Sequence, residues 1–401
     1  RTSAAYTQAK GFLLVAVSVD LTVLFVFKYL GFFTENLNRL PFVRLPVPQI
    51  TLPIGISFFT FQAISYVVDV YRGEAAQKSL WDVMLYIAFF PQLIAGPIVR
   101  YSDFADQIHN RQESLQNWNR GGYRFAIGLG KKVILSNNLA YVADAAFSSV
   151  GNLSFSMAWI GAVGYSLQLY FDFSGYSDMA IGLGKMFGFH IHENFNHPYT
   201  ATSIKDFWRR WHISLSTWFK EYLYIPLGGN REGTLKTYRN LMIVFFLTGL
   251  WHGASWNFVI WGLFHGTFLV LERIFPIEKI LHFRLLKSIY TLLVVIVAWV
   301  FFRAETLGSA WAYLNRMFVP YDMESYSKYL SNEFVYVAVL ALASCGFGAM
   351  LYRRLFALIG RENWGNAVVR AVNPAFCAVI AYFSVLLLAS NTYNPFIYFR
   401  F

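Results

Sequence analysis

The sequence has 401 residues, of which 56% are hydrophobic, 19% aromatic and only 14% charged. Soluble domains carry roughly 25% charged residues, so a chain this poor in charge has lipid as its main solvent. The net charge of +11 does not point to nucleic acid: the basic residues fall in short segments between apolar runs and no recognition motif accompanies them, which fits loops facing anionic lipid.

A spanning helix needs about 20 mostly apolar residues. Runs of this kind lie near 11–30, 53–70, 82–98, 121–148 (long enough to be broken), 155–186, 237–251, 254–272, 285–303, 333–352 and 374–391. They predict an all-α fold, a polytopic transmembrane helical bundle of nine or ten spans. No Ser- or Gly-rich linker or internal repeat divides it, so residues 1–401 are taken as one membrane domain. No signal peptide is visible. Cys345 and Cys377 lie inside apolar runs and form neither a disulfide framework nor a metal motif. Asp20, in the first run, has no motif around it and is assigned nothing.

The run 155–186 contains YFDFSGYSD. Asp172 and Asp178 are six residues apart and do not share a helix face, which argues against a paired-carboxylate hydrolase. Asp172 is expected to orient a neighbour or to pair with an arginine, and Gly175 offers a place for a kink. The following HIHENFNHPY holds His190, His192, Glu193 and His197. A metal site is one reading of that cluster; a loop gathering polar residues is the preferred one, and no metal is expected.

The stretch 201–228 breaks the pattern of plain spans. Ser203 with Asp206 resembles a capping box. Phe207, Trp208, Trp211, Leu215, Trp218, Phe219 and Tyr222 then recur at helical spacing, with Arg209, Arg210, His212, Ser216 and Lys220 between them. This amphipathic segment is placed at the cytoplasmic interface or re-entering the bundle. Next, LMIVFFLTGLWHGASWNFVIWGLFHG turns at Trp251-His252-Gly253. A helix starting near Lys236 reaches that turn after about 22 Å, short of the ~30 Å hydrocarbon core, so the turn is expected near mid-depth, lining a cavity.

Ionisable residues inside spans are costly and usually functional, and a histidine is able to accept a proton near pH 7. His252 is the leading candidate: a packing histidine is the alternative, weakened by the helix break and the flanking glycine. His212 reads either as an interfacial residue or as a second functional histidine at the cytoplasmic mouth, where Arg209 and Arg210 are able to hold a phosphorylated donor. His265 reads as a hydrogen-bonding residue inside the bundle. The basic segments 205–239, 273–287 and 353–370, against the acidic 303–333, put the former on the cytoplasmic side and the C-terminus outside. P-loop, Rossmann, GxSxG and HExxH motifs are missing from the sequence.

RRWHISLSTWFKEYLYIPLGG followed by LTGLWHGASWNFVIWGLFHG resembles the membrane-bound O-acyltransferase (MBOAT) family, in its bacterial branch containing the membrane subunit of alginate O-acetyltransferase. SFFTFQAISYVVDVYRG, FFPQLIAGPIVRYSDF, FDFSGYSDMAIGLGKMFGF, ENFNHPY and NPFIYFRF extend the likeness over residues 57–401. The resemblance implies that His252 is the catalytic histidine and His212 the second histidine of the branch. It implies transfer of an acyl group from a cytoplasmic thioester, acetyl-CoA, to a hydroxyl outside the membrane. That acceptor is commonly a periplasmic partner with a Ser-His-Asp (SGNH) esterase-like domain, working with a polysaccharide secretion complex in the bacterial inner membrane. FKEYLYIPLGGNR favours acetyl transfer over the D-alanylating branch, and further hydrophobic helices are implied ahead of Arg1. Joined to the residue reading, this predicts a central tunnel narrowest at His252, with the donor docked near Arg209, Arg210, His212 and Lys220. The rivals are a transporter, since broken helices with a polar residue at mid-depth occur there too, and a purely structural subunit of a secretion complex.

Overall fold

The computed structural model describes residues 3–320, 330–348 and 362–390, and the regular elements among them are all helical. Helix α1 (Ser3–Leu24) passes through a π-helical turn at Phe25–Tyr29 into α2 (Leu30–Leu37). Phe12, Leu14, Val15 and Val19 stand exposed along it, an apolar belt that suits contact with lipid rather than water. Tyr6–Leu37 and Arg284–Arg303 are each long and apolar enough to cross a membrane, whereas Asn332–Phe347 and Pro374–Ser390 are apolar but shorter. The nine or ten expected spans are therefore not all of that plain kind. The others are shorter or less apolar, and the charges that Asp172 and Asp178 bring into one of them are paired inside the protein.

The central helices illustrate this. Helix α3 (Ile56–Arg72) and a short α4 (Leu80–Ala88) precede α5 (Leu115–Gly130), which runs through a π-helical turn into α6 (Asn137–Ser148). Helix α7 (Phe155–Met186) begins at Ser154, whose hydroxyl accepts the Met157 N–H at 3.3 Å. A Cβ on Gly175 would lie 2.7 Å from the Gly128 carbonyl oxygen, and one on Gly182 would lie 2.6 Å from that of Gly121. The glycines recur every seven residues on both helices, so α5 and α7 touch backbone to backbone at two levels. Gly175 serves this approach and the helix continues through it, where a kink was expected. Lys132 meets Asp172 at 2.5 Å, both buried, and Asp178 holds Arg124 and Lys131, each at 2.7 Å. The partner of Asp172 is thus a lysine and not an arginine.

The expected span 82–98 does not form. Helix α4 stops at Ala88, and 89–100 continues as turns and extended chain with Pro91 and Pro97 in it. Its apolarity serves the protein interior: Ala95, Ile98 and Val99 are buried.

The stretch 201–228 is also not one helix. Helix α8 (Ile204–Arg210) opens at Ser203, which accepts the Asp206 N–H at 3.0 Å, while the Asp206 carboxylate takes the Thr202 N–H at 3.2 Å. The box is half formed. Glu272, from the helix α11 described below, accepts the N–H groups of Ile204 (2.6 Å) and Lys205 (3.1 Å) and completes the cap. The chain breaks at His212 before α9 (Ile213–Phe219). Phe207, Trp211 and Trp218 are buried in the main core, so the aromatic stripe faces protein.

Helix α10 (Thr234–His252) and α11 (Trp256–Ile274) form a tight antiparallel hairpin. A Cβ on Gly249 would overlap the Phe258 carbonyl oxygen, and one on Gly262 that of Phe245. Helix α10 starts two residues earlier than expected, giving it a length of about 28 Å. Only its part beyond Arg239 is apolar, so His252 lies ~20 Å from that charged end. Helix α12 (Arg284–Arg303) packs on α11 and ties to α6 through Arg303 and Asp144 at 2.5 Å. Helices α13 (Leu307–Phe318), α14 (Asn332–Leu342) and α15 (Glu362–Ser390) complete the described bundle. Arg353, Arg354, Arg361, Asp322, Glu324 and the ending 394–401, on which part of the orientation and of the resemblance rests, lie outside the described residues.

The hairpin contact yields a test. Gly262→Val is expected to force α10 and α11 apart at a cost of about 1–3 kcal/mol. A thermal scan of the protein in detergent should show the loss, whereas Gly11→Ala, on the open face of α1, should not lower the midpoint.

Candidate functional site

His252 is the last residue of α10, and the extended conformation of Gly253 ends the helix there. Its ring is held edge-on by Trp251 (4.9 Å between centroids), Trp261 of α11 (5.0 Å) and Phe302 of α12 (5.2 Å). Three elements therefore fix one imidazole. It forms part of the wall of a cavity of about 190 Å³ together with Lys28, Ser57, Phe58, Trp251 and the chain at 52–56. The Lys28 ammonium donates to the Trp251 carbonyl (2.5 Å) and to Ser57 Oγ (2.9 Å), and the Tyr29 hydroxyl donates to the Leu250 carbonyl (2.9 Å). The last carbonyls of α10, which have no partner within their helix, are thus engaged by α1–α2. Trp256 Nε1 donates to Asn36 Oδ1 at 2.9 Å, which sets the α10–α11 turn at the same end as the loop 38–55.

His212 is held differently. It has φ 45° and ψ 54°, in the left-handed region. Non-glycine residues adopt that conformation uncommonly, and among the described residues His197 shares it; such residues cluster at functional sites. The residue that holds His212 in it is Asn194. Its carbonyl accepts the Ile213 N–H at 3.0 Å, and its Oδ1 accepts the Ser214 N–H (3.2 Å) and the Ser214 hydroxyl (2.9 Å). His212 Nδ1 is 3.2 Å from the same oxygen. A bond to Oδ1, which only accepts, requires the proton on Nδ1 and leaves Nε2 its lone pair; Ser214 Oγ also lies 3.4 Å from Nδ1. That Nε2 is fully buried without a hydrogen-bond partner. The Trp251 ring neighbours both histidines, 6.2 Å from His212 and 4.9 Å from His252 between ring centroids.

A second cavity, about 170 Å³ and mostly apolar, is lined by Lys205, Trp208, Arg209, Ser216, Phe219 and Thr248 among others. Thr248 and His252 are four residues apart, so the two cavities reach α10 within about 6 Å of each other along its axis. Phe61 stacks on Trp218 at 3.7 Å and touches a wall residue of each cavity, Trp251 at 5.3 Å and Phe219 at 5.5 Å.

The basic residues do not converge on one spot. Arg209 rims the second cavity; Arg210 pairs with Asp206 at 2.9 Å and lines a separate basic cavity with His282, Arg284 and Lys287; Lys220 is exposed beside Glu221 at 3.5 Å. The HIHENFNHPY histidines scatter. The ring of His190 meets His192, His192 Nε2 is 3.6 Å from Asp103, and His197 packs on Gly346. The Asp103 carboxylate raises the basicity of His192. Glu193 pairs with Arg124. His265 accepts from Trp208 Nε1 at 3.3 Å, deep among aromatic rings. Lys28 and Asn194 were not singled out in the sequence. Lys28 had a signal, a lone cation in the first apolar run, whereas nothing local marks Asn194.

Residues 52–307 match the membrane-bound O-acyltransferase (MBOAT) family model. The chain is 43% identical to a probable alginate O-acetylase (AlgI) of Pseudomonas putida, over 98% of this chain and 85% of that protein. It is 42% identical to a probable alginate O-acetylase (AlgI) of Azotobacter vinelandii, with the same coverage. It is also 42% identical to a peptidoglycan O-acetyltransferase of Helicobacter pylori, over 76% of this chain and 64% of that protein. The chain belongs to the membrane-bound O-acyltransferase family: it is a polytopic, all-helical membrane enzyme that transfers acyl groups to oxygen.

The Asn194 anchor is testable in such an enzyme. Asn194→Leu is expected to lower the transfer rate about 10²-fold, the scale of a misplaced group. Combined with His212→Ala it should add nothing further, since the two act as one unit. A double-mutant cycle on the transfer rate checks this, and additive losses would separate Asn194 from His212.

Proposed function

We propose that this chain passes an acetyl group from acetyl-CoA on the cytoplasmic side to a hydroxyl presented on the other face, for O-acetylation of an alginate-type exopolysaccharide. High identity over nearly the whole chain to proteins described as probable alginate O-acetylases supports the substrate. The immediate acceptor is a periplasmic SGNH esterase-like partner working with the secretion complex in the bacterial inner membrane. The C-terminus lies on the extracytoplasmic side. The observation that carries the mechanism is the position of His252, in the wall of one cavity and one helical turn from a second that opens beside Arg209 and Lys205.

In this reading the acceptor hydroxyl enters the cavity bounded by 52–58 and Lys28. His252 takes its proton as the oxygen attacks the thioester carbonyl carbon. When the tetrahedral intermediate collapses, the C–S bond breaks and the leaving thiolate takes the proton from His252. General-base help of this kind is worth about 10²–10⁴ in rate. Arg209 and Lys205 supply positive charge for the phosphates of the donor, and Arg210 and Lys220 add to the basic character of the same segment. The Phe61–Trp218 stack is the partition that the thioester passes. Keeping water out of the junction limits hydrolysis. His212 acts behind Trp251, its strained backbone and Nδ1–Asn194 bond fixing where the Nε2 lone pair points.

His252→Ala is expected to lower polymer acetylation by at least ~10²-fold at normal protein level. Acetylation that persists in cells carrying that variant would remove the proposal. The resemblance to a peptidoglycan O-acetyltransferase supports the same chemistry on a second polymer. Mass analysis of exopolysaccharide and peptidoglycan from cells with and without the gene separates the two.

A further inference from the structure

Lys28 is a cation that this reading leaves without a task. A lysine in the middle of an apolar helix is costly and calls for a use. It sits in the π-helical turn Phe25–Tyr29, and such turns are frequent at functional sites. The distortion places successive side chains, Lys28 and Tyr29, on the end of α10, where they meet the carbonyls of Trp251 and Leu250. One purpose is plain: a cation at a helix C-terminus stabilises it. Yet Tyr29 already supplies a donor to that helix end, and capping does not explain why the ammonium lines the cavity that His252 also lines. An ammonium has three N–H groups. Two are committed to Trp251 O and Ser57 Oγ, leaving one for a group that enters the cavity.

We propose that the Lys28 ammonium is the electrostatic partner of His252: it donates a hydrogen bond to the oxyanion that forms when the acceptor hydroxyl adds to the acyl carbonyl. This rests on the reading of His252 as the base. As the acceptor oxygen forms its bond to the carbonyl carbon, its proton passes to His252 and the carbonyl π electrons move to oxygen, where the ammonium meets the negative charge. Collapse returns those electrons to the carbonyl and breaks the C–S bond, and the thiolate takes the proton from His252. Lys28 stays protonated throughout. A donor aimed at developing charge in a water-poor site contributes mainly to kcat, because the ground-state carbonyl carries little charge. The bond to the Trp251 carbonyl and that to Ser57 hold the ammonium in place before the reaction begins, so little reorganisation is needed during it.

The test uses native membranes holding the full chain and its polymer machinery, with labelled acetyl-CoA as donor and polymer-bound acetyl as the readout. Lys28→Gln is expected to lower kcat about 10²–10³-fold, the usual cost of one oxyanion donor. KM for acetyl-CoA should stay within about threefold, since the lost interaction belongs to the transition state. Lys28→Cys in a Cys345→Ala, Cys377→Ala background gives a second measurement on one preparation. Alkylation with 2-bromoethylamine, which restores an ammonium, should return at least about tenfold in rate, whereas iodoacetamide, which leaves a neutral group, should return none. Equal rates after the two alkylations, or a Lys28→Gln kcat within about threefold of the parent, would overturn the proposal. His252→Ala run alongside separates the causes. If it too is active, the base reading has failed; if it is inactive while Lys28→Gln is active, only the role of Lys28 has.

Discussion

Two backbones that touch without side chains between them determine where His252 sits. At Gly249 and Gly262 a single added carbon would strike the carbonyl of the facing helix, so α10 and α11 close to their minimum separation. That closure brings Trp261 against His252. Phe302 from α12 and Trp251 from α10 itself complete an aromatic sheath. In lipid, where burial of apolar surface gives no net drive to bring helices together, close backbone packing of this kind is the available force. The same device at Gly121–Gly182 and Gly128–Gly175 joins α5 to α7, and the bundle is organised around both.

The second constraint is backbone strain at His212. A histidine forced into the left-handed region by an asparagine that binds the next two residues is a costly arrangement, of order 1–3 kcal/mol. It also splits what would have been one amphipathic helix into α8 and α9. The break turns the aromatic face inward and sets Nε2 in the protein interior behind Trp251. The loop 89–100 closes on it, the Ile98 N–H donating to Ser214 Oγ at 3.0 Å. A left-handed backbone, burial and an unpartnered nitrogen thus coincide at His212.

Much of this was legible in the residues. Hydrophobic runs located most helices to within a few positions, and the all-helical class followed from them. The turn at Trp251-His252-Gly253 was readable because two apolar runs, 237–251 and 254–272, meet there and the first is too short to cross the hydrocarbon core. What failed did so for physical reasons. The run 82–98 is apolar because protein covers it, and hydropathy does not distinguish a buried loop from a lipid-facing helix. The break at His212 is imposed by Asn194, eighteen residues away, and a local pattern does not carry a tertiary constraint. Lys28 was visible as a charge in an apolar run, but its link to Trp251 spans 223 positions. The basic residues Arg209, Arg210 and Lys220 look like one cluster in the chain, and helix geometry sends them to three different surroundings.

A transfer between compartments requires that one imidazole be approached from two faces, and sidedness is the direct test. In a Cys345→Ala, Cys377→Ala background, Ile54→Cys marks the rim of the cavity that holds His252, and Arg209→Cys marks the rim of the other. Sealed vesicles of known orientation would be treated with a membrane-impermeant maleimide from one side at a time. Labelling of Ile54→Cys only from the extracytoplasmic side and of Arg209→Cys only from the cytoplasmic side is the predicted result. Labelling of both from the same side would contradict the account.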